Sequence, residues 1–364
     1  MHLEEVDTPA LLIDLDPFER NIARLAGAVA GTGVRLRPHA KTHKCAAIAL
    51  RQMAAGAVGI CCQKVSEAEA LVYGGVPDVL ISNQVVGARK IARLMALASQ
   101  ARIAVCADDA SNVAALDAAA VGAGLRLPVL VEVNVGMERC GVEPGEPVLA
   151  LAGQIAASRG LHFAGLQAYH GSAQHVRDYA ERRAAVARAA ALLRPTVELL
   201  RRNGLEPESI TGSGTGTYAF EASSGLWNEL QCGSYVFMDS DYLKNRQEDG
   251  APGSAFESSL FVYATVMSRP TRDRAILDAG LKALSVDSGL PRLADLAGAE
   301  YVGASDEHGK VMLREPGLDM PLGSKVRLIP GHCDPTVNLY DWYVCYRGDR
   351  VEAVWPVTAR GAVL

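Results

Sequence analysis

The chain has 364 residues, 49% of them hydrophobic and 21% charged, and a formal net charge of −5. It is long enough for one large domain and a smaller one, its charge argues against a broad nucleic-acid surface, and no apolar run reaches the ~20 residues that a membrane span needs. The opening MHLEEVDTPALLIDLD lacks a basic stretch leading into an apolar core, so it does not read as a signal peptide, and eight cysteines without a CxxC pair predict free thiols in a reducing cytosol.

In chain order, TPALLIDLD (8–16) reads as a strand and DPFERNIARLAGAVAG (16–31) as a helix, with Asp16 as its cap and Pro17 in its first turn. Eight short apolar runs follow: VRLRPHA (34–40), AVGICCQ (57–63), DVLISNQ (78–84), RIAVCAD (102–108), PVLVEVNV (128–135), LHFAGLQAY (161–169), SITGSG (209–214) and ELQCGSYVF (229–237). Helical stretches separate most of them, such as SEAEALVYGG (66–75), RKIARLMALASQ (89–100) and the long stretch 176–204. Eight strand–helix units predict an α/β chain with a closed (β/α)8 TIM-type barrel over residues 16–243. An open doubly wound sheet is the alternative.

From residue 244 the texture changes. NRQEDGAPGSAFE (245–257) reads as a loop, and strand-like runs then dominate, ending in DWYVCYRGDRVEAVWPV, a hairpin turning at Arg347–Asp349. A second, mainly β domain is predicted over 244–364, joined by the opening strand within 1–15.

Chemistry in such barrels sits at the C-terminal ends of the strands. The first predicted strand ends in RPHAKTH, which delivers His39 and Lys41, and Lys41 is one of only eight lysines beside 28 arginines. The second ends in Gln63. The fifth leads into Asn134, Met137, Glu138 and Arg139, and the sixth ends in Gln167, Tyr169 and His170, with His175 shortly after. The seventh and eighth strands end in TGSGTGT (211–217) and Cys232-Gly233-Ser234. Loops after these two strands often bind phosphate, because small residues let backbone N–H groups approach an anion and hydroxyls add donors. Ser213, Gly214, Thr215, Gly216, Gly233 and Ser234 therefore suggest a phosphate cradle, against the plain reading of a flexible loop. Lys41 would face the same mouth. Nearby cations and partial burial favour a neutral amine, the form that condenses with an aldehyde. A phosphate site together with such a lysine suggests pyridoxal 5′-phosphate. The plain reading of Lys41 is a surface lysine after a proline turn.

The order TPALLIDLD, RPHAKTHK, EVNVGMERCGV, LQAYHGS, GSGTGT, ELQCGSY, PGHCDPTVNLYD resembles the fold-type III, alanine racemase-like pyridoxal-phosphate enzymes, within them the D-threonine aldolase and D-serine dehydratase branch. The resemblance runs through almost the whole chain, and RPHAKTHK and PGHCDPTVNLYD are its most specific parts. It implies that Lys41 bonds to the cofactor and that Arg139 and Tyr169 line it. It also implies that TGSGTGT and Cys232-Gly233-Ser234 hold its phosphate, in a barrel plus β-domain fold that is usually dimeric. His39 and Gln63 are counted with the cofactor-binding residues.

PGHCDP (330–335) brings His332, Cys333 and Asp334 together. In extended chain His332 and Asp334 point to one side and Cys333 to the other. A nitrogen and a carboxylate oxygen, completed by water, suit Mn²⁺, Mg²⁺, Co²⁺ or Zn²⁺; a capped turn before Pro335 is the plain reading. The resemblance implies a divalent metal on His332 and Asp334, with Asp334 the aldolase-like choice at that position. It also favours His175 as the general base and His170 as a group that supports it or faces the cofactor. Asp278 and Asp287 read as turn residues, and Glu307-His308-Gly309 as a hairpin tip whose histidine could close over the metal.

The expected function is a cytoplasmic, homodimeric lyase, an aldolase acting on small D-3-hydroxy amino acids. D-Threonine would give glycine and acetaldehyde, or 3-hydroxy-D-aspartate would give glycine and glyoxylate. The alternative is a metal-dependent dehydratase of D-serine or 3-hydroxy-D-aspartate. A non-catalytic pyridoxal-phosphate carrier and a racemase are further readings. No nucleic-acid or membrane partner is expected.

Overall fold

The computed structural model describes residues 1–315 and 317–364. They form two compact units, one of Ala26–Lys41, Ala46–Gly233 and Gly361–Leu364, the other of Met1–Leu25, Thr42–Cys45 and Ser234–Arg360. The turn from one to the other falls at Ser234, ten residues before the sequence boundary. The run after it, read as strand, instead forms a short 3₁₀ turn, Ser234–Val236. Phe237 then accepts from Ser259 N and Ser240 donates to Pro330, which commits the run to the later unit.

The elements begin with β1 (Ala10–Asp14), α1 (Leu15–Val29), β2 (Arg35–Leu36), α2 (Ala46–Ala54), β3 (Ile60–Cys62), α3 (Val65–Tyr73), β4 (Asp78–Gln84) and α4 (Ala88–Ala98). They continue with β5 (Arg102–Ala107), α5 (Ala110–Gly122), β6 (Leu127–Glu132), α6 (Glu146–Ala157), β7 (Leu161–Ala168), α7 (Tyr179–Arg202), β8 (Ser209–Gly212), α8 (Tyr218–Ser223) and β9 (Glu229–Leu230). Strands β2 to β9 make one eight-stranded sheet in the order β2-β9-β8-β7-β6-β5-β4-β3, and every pairing in it is parallel.

The two ends of this sheet meet. Val58 N donates to Leu36 O, Cys61 N to Pro38 O and Ala40 N to Cys61 O, and His39 bridges Cys61 in parallel. The ring is closed, as the eight-unit count predicts, and an open doubly wound sheet with two free edges does not describe it. Cys61, Leu80, Cys106, Leu130 and Ala164, one from each of five adjacent strands, pack as a single buried cluster. Residues at alternate positions, such as Val79, Ile81, Val105 and Val129, are also buried. Burial on both faces is why these strands read as continuous apolar runs.

Helix α1 departs from the sequence reading at its start. It begins at Leu15, so Asp16 lies in its first turn, and the Asp14 carboxylate is the group that accepts a hydrogen bond, from Asp16 N at 3.2 Å.

The second unit contains β10 (Leu260–Thr271), β11 (Arg274–Leu277), β12 (Arg292–Leu293), β13 (Ala299–Ala304), β14 (Gly309–Leu313), β15 (Lys325–Ile329), α9 (Cys333–Val337), β16 (Trp342–Arg347) and β17 (Arg350–Pro356). The opening strand lies in this unit: β1 is between β10, antiparallel, and β16, parallel. Leu12, Phe261, Tyr263 and Tyr346 share one core cluster with Val6. The β16–β17 hairpin turns at Gly348-Asp349, and 305–308 form the tip between β13 and β14. Segment 42–45 is held here by Tyr343 Oη donating to His43 O at 2.6 Å and Ala359 N donating to Lys44 O at 2.9 Å. Among the described residues no helix is long and apolar enough to cross a membrane.

Candidate active site

The C-terminal ends of the barrel strands collect most of the predicted residues. Lys41 is half-buried just past the His39 bridge that closes the ring. Its backbone N–H donates to His39 Nδ1 at 3.3 Å. His39 Nε2 lies 3.2 Å from Ser82 Oγ and 2.9 Å from the Gln63 amide nitrogen. Gln63 is itself fixed, because its N–H donates to Glu67 and its carbonyl accepts from Asn83. The three predicted residues at this point of the ring thus form one supported cluster.

Across the barrel, the loop after β8 has the features of an anion cradle. Ser213 sits at φ 74, in the left-handed region that non-glycine residues avoid. The Thr215 hydroxyl is buried and lacks a hydrogen-bond partner among the described residues, an arrangement that costs free energy unless a bound group satisfies it. A Cβ on Gly214 would come within 2.5 Å of Gln174 Oε1, so the loop is packed as tightly as glycine allows. These features fit the phosphate of pyridoxal phosphate. Cys232 accepts from His39 N at 3.1 Å, while Gly233 is the last barrel residue and Ser234 opens the other unit.

Gln174 is a residue that sequence reasoning missed. It is fully buried in the 3₁₀ turn Ser172–His175. Its Oε1 accepts from Gly216 N at 2.9 Å, and its Nε2 donates to Thr217 Oγ1 at 2.8 Å and to His170 O at 3.4 Å. One amide thus ties the glycine loop to the segment that carries His170 and His175. The sequence Ala173-Gln174-His175 gives no sign of this, since its partners in the glycine loop lie about forty residues away.

Of the two histidines, His170 is half-buried, with Nδ1 3.2 Å from Ser172 Oγ. Burial, assisted by Arg188, lowers its pKa and keeps it neutral near pH 7. His175 is exposed at the end of its turn. Arg139 is exposed and lies over the Tyr169 ring, 5.7 Å from its centroid. Its loop is shaped by Asn134 Oδ1, which accepts from Gly136 N and Glu138 N. Beneath that loop the structure adds three groups absent from the sequence reading. Gln84 Nε2 donates to Asp108 Oδ2 at 3.0 Å and to Glu132 Oε2 at 2.5 Å, bridging two carboxylates that also lie near Cys140.

Behind the glycine loop Glu221 is fully buried, its Oε1 accepting from the Thr217 hydroxyl at 2.7 Å. Burial pushes its carboxyl up to about 7. An acid whose folded pKa exceeds its unfolded value contributes stability that is complete below the unfolded pKa and lost as pH rises through the folded one. Glu221→Gln should therefore match the parent near pH 4.5 and gain on it up to pH 7, by on the order of 3 kcal/mol. Urea unfolding at pH 5 and pH 8 checks this, and an equal difference at both pH values would contradict it.

The metal motif belongs to the other unit. His332 and Asp334 are half-buried and Cys333 is fully buried. The cause differs from the extended-strand alternation expected. Only His332 is extended (φ −144°, ψ 125°), and Cys333 begins helix α9. Cys333 is turned into the core, where its N–H donates to the buried Asp239 at 3.1 Å. An imidazole and a carboxylate offer the nitrogen and oxygen donors that suit a divalent ion. His332 Nδ1 lies 2.8 Å from Asp287 Oδ2, so Asp287 is more than the turn residue its sequence suggests. The Asp278 carboxylate joins separate segments, accepting from Thr265 N at 2.7 Å and from Thr8 Oγ1 at 2.5 Å.

Residues 13–241 match the family model described as alanine racemase, N-terminal domain, and residues 259–346 match the one described as "Putative serine dehydratase domain". A D-threonine aldolase of Arthrobacter sp is 51% identical over 99% of this chain and 94% of its own. A 3-hydroxy-D-aspartate aldolase of Paracoccus denitrificans is 45% identical with the same coverage. A D-threo-3-hydroxyaspartate dehydratase of Delftia sp. is more distant, 30% identical over 96% of this chain and 97% of its own. The crystal structure of D-threonine aldolase from Filomicrobium marinum superposes with a TM-score of 0.97 at 50% identity, over 100% of this chain and 98% of the other. The chain belongs to the D-threonine aldolase and D-serine dehydratase branch of the alanine racemase-like pyridoxal-phosphate enzymes.

Proposed function

We propose that the chain is a carbon–carbon lyase that cleaves D-3-hydroxy amino acids with pyridoxal phosphate and a divalent ion. D-Threonine would give glycine and acetaldehyde, or 3-hydroxy-D-aspartate glycine and glyoxylate. The observation that carries the reading is at the strand ends of the barrel. A half-buried lysine follows β2, and a buried hydroxyl without a hydrogen-bond partner among the described residues sits in the glycine loop after β8. Identity to aldolases well above that to the dehydratase supports the retro-aldol outcome.

Bound pyridoxal phosphate would supply a sink for the electron pair of the Cα–Cβ bond, and a divalent ion would supply Lewis acidity at the 3-hydroxyl. The chain's own residues do the rest. Lys41 supplies the amine that holds the cofactor. Ser213, Gly214, Thr215 and Gly216, with Cys232, Gly233 and Ser234, take its phosphate. His39 and Gln63 fix the segment bearing Lys41, and Arg139 and Tyr169 form a wall beside the ring. His175 takes the proton of the substrate hydroxyl as the carbonyl of the aldehyde product forms, help typically worth ~10²–10⁴-fold. His170, held neutral, supports that segment. His332 and Asp334 hold the ion, for which Mn²⁺ is the first choice. On this reading the barrel unit holds the cofactor and the unit that resumes at Ser234 carries the metal motif, in a cytoplasmic homodimer.

A dehydratase would use the same parts but release ammonia. The test is a panel of D-threonine and 3-hydroxy-D-aspartate, scoring glycine against ammonia with and without EDTA. Glycine and aldehyde should dominate, vanish with EDTA and return with Mn²⁺. Dominant ammonia release would overturn the aldolase reading. Cofactor binding with no turnover in either direction would favour a carrier.

A further inference from the structure

We infer that Asp287 is a positioning residue that sets the tautomer and direction of His332 for metal binding, an inference that rests on His332 being a metal ligand. A carboxylate only accepts, so the 2.8 Å contact between Asp287 Oδ2 and His332 Nδ1 puts the ring proton on Nδ1. In the neutral ring Nε2 then carries the lone pair, the form an ion requires.

The carboxylate is itself held. Ser285 Oγ donates to Asp287 Oδ1 at 2.7 Å, and Ser288 Oγ donates to Oδ2 at 3.1 Å while lying 3.4 Å from His332 Nδ1. The loop that carries these residues is fastened to the His332 segment at a further point. Ser285 N donates to Thr336 Oγ1 at 3.1 Å, and that hydroxyl donates to His332 O at 2.8 Å. Behind them Gly331 presses on Gly289, since a Cβ on Gly331 would fall 1.9 Å from Gly289 O. The loop can neither slide along the segment nor lift from it without breaking this set. The imidazole is therefore oriented before an ion arrives, which lowers the cost of binding.

The test titrates Mn²⁺ into the EDTA-treated, pyridoxal-phosphate-loaded protein and follows binding by calorimetry and by the free-ion electron paramagnetic resonance signal. Asp287→Ala should weaken Mn²⁺ about 10–100-fold, the usual effect of losing such a partner. Asp287→Asn, which keeps an acceptor for Nδ1–H, should recover part of that loss. Circular dichroism and cofactor colour should stay as in the parent. Parental Mn²⁺ affinity in Asp287→Ala, with loss of affinity in His332→Ala, overturns the positioning role and leaves His332 as a ligand. Parental affinity in both variants overturns the ligand reading itself.

Discussion

Lys41→Ala is expected to yield a folded protein without the yellow colour of the covalently held cofactor, and with turnover reduced on the order of 10³-fold or more, as when other enzymic nucleophiles are removed. The fold should survive, because Lys41 is only half-buried and follows the His39–Cys61 bridge and its backbone hydrogen bonds, none of which uses the lysine side chain. Borohydride reduction and peptide mapping give an independent measurement. The cofactor mass should appear on Lys41 and not on Lys44, whose backbone is held in the left-handed region at φ 49. Unchanged colour and turnover in Lys41→Ala would refute the assignment.

The second large effect should come from the metal motif and leave the colour intact. His332→Ala and Asp334→Ala each remove a donor, so each should weaken Mn²⁺ by more than the ~10–100-fold of an outer-shell partner and abolish EDTA-reversible activity. Cys333→Ala supplies the contrast. Its thiol is buried, and burial raises its pKa well above the ordinary value. Replacement should therefore leave Mn²⁺ affinity within a few-fold of the parent and cost only packing. If Cys333→Ala abolished binding while Asp334→Ala did not, the ligand set would be wrong.

The barrel was legible because burial on both faces writes each strand as a run of apolar residues. Asp78–Gln84 coincides with its run to the residue. The last run, 229–237, shrank to Glu229–Leu230, with a 3₁₀ turn at Ser234–Val236 following it. Lys41, the glycine loop and the His332-Asp334 pair stood out as candidates because each is a local cluster of unusual residues. Gln174 and Asp287 were not. Each acts through partners about forty residues distant, and composition alone marks the one as a polar loop residue and the other as a turn former. Asp14 was missed as the acceptor at the start of α1 because it also ends a strand.

The placement of β1 has a consequence for biosynthesis. Leu11, Leu12 and Ile13 emerge early from the ribosome, yet Leu12 and Ile13 pair with Val344 and Cys345, more than 300 residues later. At about 5–20 residues per second the strand waits roughly 15–60 s for that neighbour. Both edges of this apolar segment lack a partner until β10 is made, and one edge stays open to holdase chaperones until β16 follows, so the yield of recombinant protein should depend on chaperone supply more than the completed fold would suggest.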